Sequence, residues 1–136
     1  MCIDVPSGNQ ANGIQLQLFD CNPSPAAQQF TITPVDDAFA IKSIAGKAFD
    51  VSNSSTNAGA RIQLWDFGSS QTNQLWYIQD VGGSFYRFVN KNSGKCIDLS
   101  ENKAINGAAI QQWDCLNNDA QRFKMEWIHG RELAQV

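Results

Sequence analysis

One pattern limits what this chain can fold into: the sequence repeats itself three times. The segments CIDVPSGNQANGIQLQLFDC, AFDVSNSSTNAGARIQLWDF and CIDLSENKAINGAAIQQWDC begin at Cys2, Ala48 and Cys96. The starts lie 46 residues apart (2 to 48) and then 48 apart (48 to 96). In each segment an Asp is followed fifteen residues later by an aromatic: Asp4 and Phe19, Asp50 and Trp65, Asp98 and Trp113. A Gln precedes that ring by two, at Gln17, Gln63 and Gln111, and a Gly recurs at Gly13, Gly59 and Gly107. A second Gln-x-aromatic closes each unit, at Gln28 with Phe30, Gln74 with Trp76 and Gln121 with Phe123. A period of this length describes units that must stack on one another to bury a core.

The local patterns are those of strands. Ile14–Leu18, Ile62–Trp65 and Ile110–Trp113 alternate apolar and polar side chains or nearly so, as do Phe30–Ile32, Trp76–Ile78 and Phe39–Ile41. Turn residues separate them at Ser7-Gly8-Asn9, Asn53-Ser54-Ser55, Gly82-Gly83-Ser84 and Asn92-Ser93-Gly94. No twelve-residue stretch carries a helical stripe. A chain of 136 residues, 43% hydrophobic and 17% charged, is globular and of single-domain size. Three units are too few for a propeller, which needs about four blades. A three-unit solenoid would leave sheet edges open. The remaining solution is a threefold barrel with about four strands per repeat: an all-β fold, the β-trefoil. The repeats are expected at about 1–38, 39–84 and 85–125. Repeats two and three are preceded by strand-like segments, Phe39–Lys47 and Phe85–Lys95, but repeat one only by Met1. The tail, 126–136, exceeds what the third repeat requires. It either supplies the missing first strand, to its own chain or to a neighbour's in a dimer, or is linker.

The four cysteines fall into matched positions. Cys2 and Cys21 are 19 residues apart, and so are Cys96 and Cys115. No C-x-x-C pair or His-rich cluster accompanies them, so no metal site is expected. Three pairings are formally possible. The equal spacing favours Cys2–Cys21 and Cys96–Cys115, against the alternative of four buried thiols. The middle repeat loses both cysteines together and carries Ala48 and Phe67 in their places. Disulfides would imply an oxidising compartment, and hence a secreted, extracellular protein.

Composition excludes several function classes. Ten basic against thirteen acidic residues leave a net charge of −3, the wrong balance for gripping a phosphate backbone. No apolar run approaches the roughly 18 residues of a membrane span. The start, Met-Cys-Ile-Asp, has neither the basic segment nor the apolar core of a signal peptide. The one histidine, His129, sits in the tail, away from any Ser or Asp of the repeats that could complete a triad. Acids of a glycoside hydrolase face each other across one bond, about 5–9.5 Å apart. Acids repeated by threefold symmetry belong to separate sites. No catalysis and no cofactor are expected.

The combination Cys-Ile-Asp-Val, Gln-Leu-Trp-Asp and a closing Gln-x-Trp resembles the ricin B-chain type lectin domain. It is similar as well to the family 13 carbohydrate-binding modules attached to bacterial glycoside hydrolases. The resemblance runs from residue 2 to about 125. It implies non-catalytic binding of a mono- or oligosaccharide, a polysaccharide or a glycan, either as a lectin or as a module of a larger hydrolase or toxin. Galactose-type sugars follow from the first likeness and xylan or other plant polysaccharides from the second. A trefoil that binds protein without sugar affinity is the alternative. The resemblance also implies a shallow pocket in each repeat, with the Asp at its floor and the ring as a stacking platform. The chemistry suits a pyranose, whose C–H face packs on an aromatic ring. Its hydroxyl pairs are best accepted by a carboxylate and oriented by amides, which donate and accept at once.

Carried over by position, the second repeat is the most complete, with Asp50, Gln63, Trp65, Asn73 and Gln74. The third has Asp98, Gln111, Trp113 and Gln121, but Ala120 stands where the family has Asn, and Asn117 or Asn118 is a candidate substitute. The first has Asp4, Gln17, Phe19 and Gln28, with Ala27 at the Asn position. The expected order of strength is second, third, first. The closing rings Phe30, Trp76 and Phe123 are expected in the core. Gln28, Gln74 and Gln121 either tie loop backbone together or touch ligand. The site acids could instead cap turns, but Asp20, Asp66 and Asp114, directly after the platform rings, are equally available for that.

Overall fold

A computed structural model describes residues 1–22 and 26–127, together with the backbone of 128 and 133–135. His129 lies outside the described residues. Strands and single 3-10 turns make up the regular structure, with no α-helix among the described residues. Repeat one holds β1 (Cys2–Asp4), β2 (Gln17–Phe19) and β3 (Phe30–Val35). Repeat two holds β4 (Ala38–Lys42), β5 (Ala48–Val51), β6 (Ile62–Trp65) and β7 (Trp76–Gly82). Repeat three holds β8 (Phe85–Asn90), β9 (Cys96–Leu99) and β10 (Ile110–Trp113), and the tail holds β11 (Glu126–Ile128) and β12 (Leu133–Gln135).

Each repeat is built on one antiparallel hairpin, and its register explains the sequence spacing. Asp4 faces Gln17, Asp50 faces Gln63, and Asp98 faces Gln111. Facing residues in a pair of strands share a side, and so does the residue two further on. The Asp, the Gln thirteen residues later and the ring fifteen residues later therefore lie on one face. The opposite face carries Ile3 against Leu18, Phe49 against Leu64, and Ile97 against Gln112. It forms the core, where all six are buried. Gln112 breaks the apolar pattern without leaving a polar group stranded. Its Nε2 donates to the carbonyls of Ser55 and Asn57, both at 2.9 Å, and its Oε1 accepts from Ser93 Oγ at 2.8 Å. A buried amide so satisfied costs little and fixes the third repeat to a loop of the second.

The hairpins pass hydrogen bonds around the barrel. Gly13 N–H donates to Leu64 O, Gly59 N–H to Gln112 O, and Gly107 N–H to Leu18 O, each at 2.8 Å. These glycines have φ of 90°, 90° and 88°, a left-handed conformation that disfavours a side chain. A Cβ at Gly13 or Gly59 would also come within 3.9 Å of Trp65 or 3.7 Å of Trp113. Those are ordinary contact distances, and Gly107 has no such neighbour, so what the recurring glycine supplies is the left-handed turn that aims its N–H at the next hairpin.

The closing aromatics divide. Phe30 and Trp76 are fully buried, Phe30 edge-on to Phe49 at 4.9 Å and Trp76 Nε1 donating to Phe49 O at 3.2 Å. Phe123 corrects the expectation of three equivalent core rings: it is only half-buried. It packs against Phe88 at 5.9 Å on one side and opens on the other to a cavity shared with Met1 and Phe85.

Both disulfides are present, Cys2–Cys21 and Cys96–Cys115. At the matching positions of repeat two, Ala48 is buried, and Phe67 packs on Ala38, Ala40 and Leu75 with the Lys42 ammonium 4.1 Å from its ring centre.

The strand β12 pairs antiparallel with β11 and with β3, where Ala134 faces Phe30. In the other repeats Phe39 of β4 faces Trp76, and Tyr86 of β8 faces Phe123. Deleting residues 127–136 would leave an edge of β3 unpaired. We expect that truncation to lower the melting temperature, at roughly 3–6 °C per kcal/mol lost for a domain of this size. Calorimetry of the shortened chain checks this, and an unchanged midpoint would exclude a structural role for the tail.

Candidate functional site

The register places the same three groups on one face of each hairpin, and each set lines a surface pocket. Asp4, Gln17 and Phe19 line one, Asp50, Gln63 and Trp65 the second, and Asp98, Gln111 and Trp113 the third. The rings stand at the surface: Phe19 is 41% exposed, Trp65 41% and Trp113 40%, against 0% for Trp76. Large rings left this open in three equivalent places contrast with the burial that packing alone would favour.

The acids are buried at the pocket floors, and among the described residues no salt bridge reaches them. Their charge is met by amide N–H groups. Gln17, Gln63 and Gln111 donate to Oδ1 of Asp4, Asp50 and Asp98 at 2.8, 3.1 and 3.0 Å. Gln28, Gln74 and Gln121 donate to Oδ2 of the same acids at 3.0, 2.9 and 2.9 Å. Each of these three also donates to the carbonyl after its platform ring, that of Asp20, Asp66 or Asp114, at 2.8 Å. Each Oε1 accepts a backbone N–H, from Asn22, Gly68 or Leu116. Both amide hydrogens and the oxygen are therefore committed, and the side chains are buried. Of the two roles open to them, the geometry serves the tying of loops and the aiming of the acid.

Asn73 adds a further donor in the second pocket alone. Its Nδ2 lies 3.1 Å from Asp50 Oδ2 and 3.1 Å from Val51 O. A carboxylate has about four lone-pair sites. Asp50 thus meets three side-chain donors, whereas Asp4 and Asp98, beside Ala27 and Ala120, meet two each. Every acid keeps acceptor capacity for an incoming hydroxyl.

The acids after the rings do different work. Asp66 accepts from Lys47 Nζ at 2.7 Å and from Asn12 Nδ2 at 3.0 Å. The Lys47 hydrogen bond, seconded by Asn12, holds its carboxyl below the usual range. Asp20 is bonded by Asn106 Nδ2 at 3.0 Å, and Asp114 pairs with Lys95 at 3.0 Å. Asn12–Asp66 and Asn106–Asp20 cross between repeats, so these acids stitch loops while the site acids face the pockets.

The matching model is the ricin-type beta-trefoil lectin domain, over residues 1–123. The chain belongs to this family. The lectin domain is a non-catalytic carbohydrate-binding fold, and its two disulfides fit an extracellular setting. Among solved structures it is similar to ThreeFoil, a designed threefold symmetric protein, at 24% identity and a TM-score of 0.86, over 98% of this chain and 90% of that one. It is similar also to 1,3Gal43A, an exo-beta-1,3-galactanase from Clostridium thermocellum, at 28% identity and a TM-score of 0.83. There the match covers 98% of the lectin domain but 27% of the galactanase chain. A third likeness is the Macrolepiota procera ricin B-like lectin in complex with lactose, at 19% identity and a TM-score of 0.71, over 90% of this chain and 84% of that one. No curated protein sequence matches the lectin domain.

Several pocket residues escape repeat matching. Ser7, Asn53 and Glu101 each follow the site acid by three and line its pocket in a left-handed conformation, with φ of 55°, 57° and 57°. Gln71 lines the second pocket and Leu116 the third, where Asn118, one of the two candidate substitutes for the missing Asn, stands as well. They differ in type between repeats, so identity could not mark them. The usable signal was position: they flank the fixed residues on loops. Asn117 is not among the residues lining the third pocket, and its carbonyl accepts from Arg122 at 3.5 Å.

Proposed function

We propose that this lectin domain binds galactose-type sugars through its three pockets, the second and third most strongly, and that it does so on multivalent targets such as a galactose-bearing polysaccharide or glycan. The observation that carries the reading is the triplicated face of buried acid, bridging amide and half-open ring. Trp65 and Trp113 would stack on the C–H face of the sugar, and Asp50 and Asp98 would accept its hydroxyls. Gln63, Gln111 and Asn73 would hold those acids in place. Phe19 with Asp4 and Gln17 would form the weaker third member. Galactose is favoured over xylan because the similar galactanase acts on a galactan and the similar mushroom lectin holds lactose, a galactoside. The disulfides support secretion, and the match to 27% of the galactanase chain supports attachment to a catalytic domain.

One shallow pocket should bind with a Kd of about a millimolar, near −4 kcal/mol. Pockets on one rigid domain then gain strength together on a repeating ligand. Indole fluorescence titrated with galactose, lactose, xylo-oligosaccharides and a β-1,3-galactan tests this. The expected result is saturation by the galactosides, weakened in Asp50→Ala and Asp98→Ala and lost in the double variant. A flat response to every sugar at tens of millimolar would favour a protein-binding trefoil instead.

A further inference from the structure

Each platform ring is flanked by bonds to a loop of another repeat. Leu18, Leu64 and Gln112 stand one residue before Phe19, Trp65 and Trp113. Leu64 N–H donates to Ile14 O at 2.9 Å, and Leu64 O accepts from Gly13 at 2.8 Å. Gln112 exchanges the same pair of bonds with Ala60 and Gly59 of repeat two, and Leu18 with Ala108 and Gly107 of repeat three. The backbone just before the ring is therefore held alike in all three places.

The residue just after the ring is not. Asn12 directly precedes Gly13, and its Nδ2 donates to Asp66 Oδ2 at 3.0 Å. Lys47 Nζ donates to both partners, to Asn12 Oδ1 at 2.8 Å and to Asp66 Oδ1 at 2.7 Å. The three side chains close a ring of hydrogen bonds beside Trp65. In the first repeat Asn106 takes the matching place, accepting from Asp20 N–H at 2.8 Å and donating to Asp20 Oδ2 at 3.0 Å. In the third, Ala58 stands there and can do neither. Among the described residues the Asp114 carboxyl meets Lys95 alone, from its own repeat. Trp65 is thus tied to repeat one on both sides, whereas Trp113 is tied to repeat two on one.

An exposed ion pair by itself is worth little, but a closed network of several partners is the case in which such contacts count. A stacking platform that is already fixed loses less freedom when a sugar settles on it, so its pocket binds more tightly. Asn12 is not among the residues lining the second pocket, and any effect it has must pass through the ring. We propose that Asn12 is a positioning residue of the second pocket, a side chain of repeat one that fixes Trp65 of repeat two for stacking, and that Ala58 leaves Trp113 looser and its pocket weaker. This rests on the carbohydrate reading above and gives the second pocket's greater strength a cause besides Asn73.

The test follows the Trp65 and Trp113 indole signals of the 15N-labelled protein, first by relaxation without ligand and then in a titration with lactose. The relaxation order parameter of the Trp65 indole should exceed that of Trp113 and should fall in Asn12→Ala. In the same variant lactose should bind at Trp65 roughly three- to tenfold more weakly, the worth of one hydrogen bond to a charged group. Binding at Trp113 should not change, which also shows that the variant is folded. Ala58→Asn supplies the missing amide beside Asp114 and Lys95, so it should raise the order of Trp113 and tighten lactose there by a similar factor. An unchanged Trp65 in Asn12→Ala, a loss shared equally by both pockets, or no gain at Trp113 in Ala58→Asn would overturn the inference while leaving sugar binding intact. Indole signals unmoved by lactose would remove the carbohydrate reading at these pockets, and the order parameters would still decide whether Asn12 fixes the ring.

Discussion

Trp76→Ala should cost about 3–5 kcal/mol of folding stability, the range for emptying a buried aromatic site, while Trp65→Ala should cost under about 1 kcal/mol. The two residues are eleven positions apart in one repeat, yet only Trp76 is sealed in the core. Removing it opens a cavity between Phe30, Phe49 and the neighbouring strands. It also deprives Phe49 O of the indole N–H at 3.2 Å. Removing Trp65 deletes a ring that is already 41% exposed. Its loss should instead abolish the galactoside response of the second pocket. Urea unfolding of both variants, with sugar titration of Trp65→Ala, separates the roles. Comparable losses of stability would mean that Trp65 is a packing residue and the platform assignment is wrong.

The contrast shows what repetition makes legible in a sequence. That Asp50, Gln63 and Trp65 belong together was legible from their recurrence at fixed spacing and from the family resemblance, whereas their common face rests on the register of the hairpin, since strand pairing has period two. The fold followed from the same recurrence. Burial of Phe30 and Trp76 was legible for the same reason, but Phe123 was not. Its open side faces a cavity it shares with Met1 and Phe85, residues that the repeat spacing does not bring together. The role of Gln28, Gln74 and Gln121 could not be read from spacing either. An amide two residues before a buried ring can face inward or outward, and only the loop carbonyls of Asp20, Asp66 and Asp114 decide it. Pocket walls such as Asn118 and Leu116 lie in loops whose sequences diverge. There the threefold symmetry that organises the barrel gives way to the differences that distinguish its sites.

Reduction of both disulfides should be the most damaging chemical change to the domain, and its effect on binding should be uneven. Each bridge closes a loop between cysteines 19 residues apart. In the chain-entropy picture each restricts the unfolded state by about 3 kcal/mol. Two such losses approach the whole stability of an ordinary domain, about 5–15 kcal/mol. Cys96 is the strand residue facing Trp113, as Cys2 faces Phe19. The bridges therefore tie the loops that follow two of the three platforms back to the strands beneath them. The second platform, Trp65, faces Ala48, and its following loop is held by the packing of Phe67 and by the Lys47–Asp66 ion pair. Thiol reductant should thus weaken sugar binding at Trp113 at concentrations where Trp65 still binds, before cooperative unfolding removes both. Replacing one bridge at a time by Ala pairs, and following both indole signals, checks the order. If Cys96→Ala with Cys115→Ala left the third pocket's affinity and the melting midpoint unchanged, the bridge would be dispensable to the site, and the packing that serves repeat two would suffice for all three.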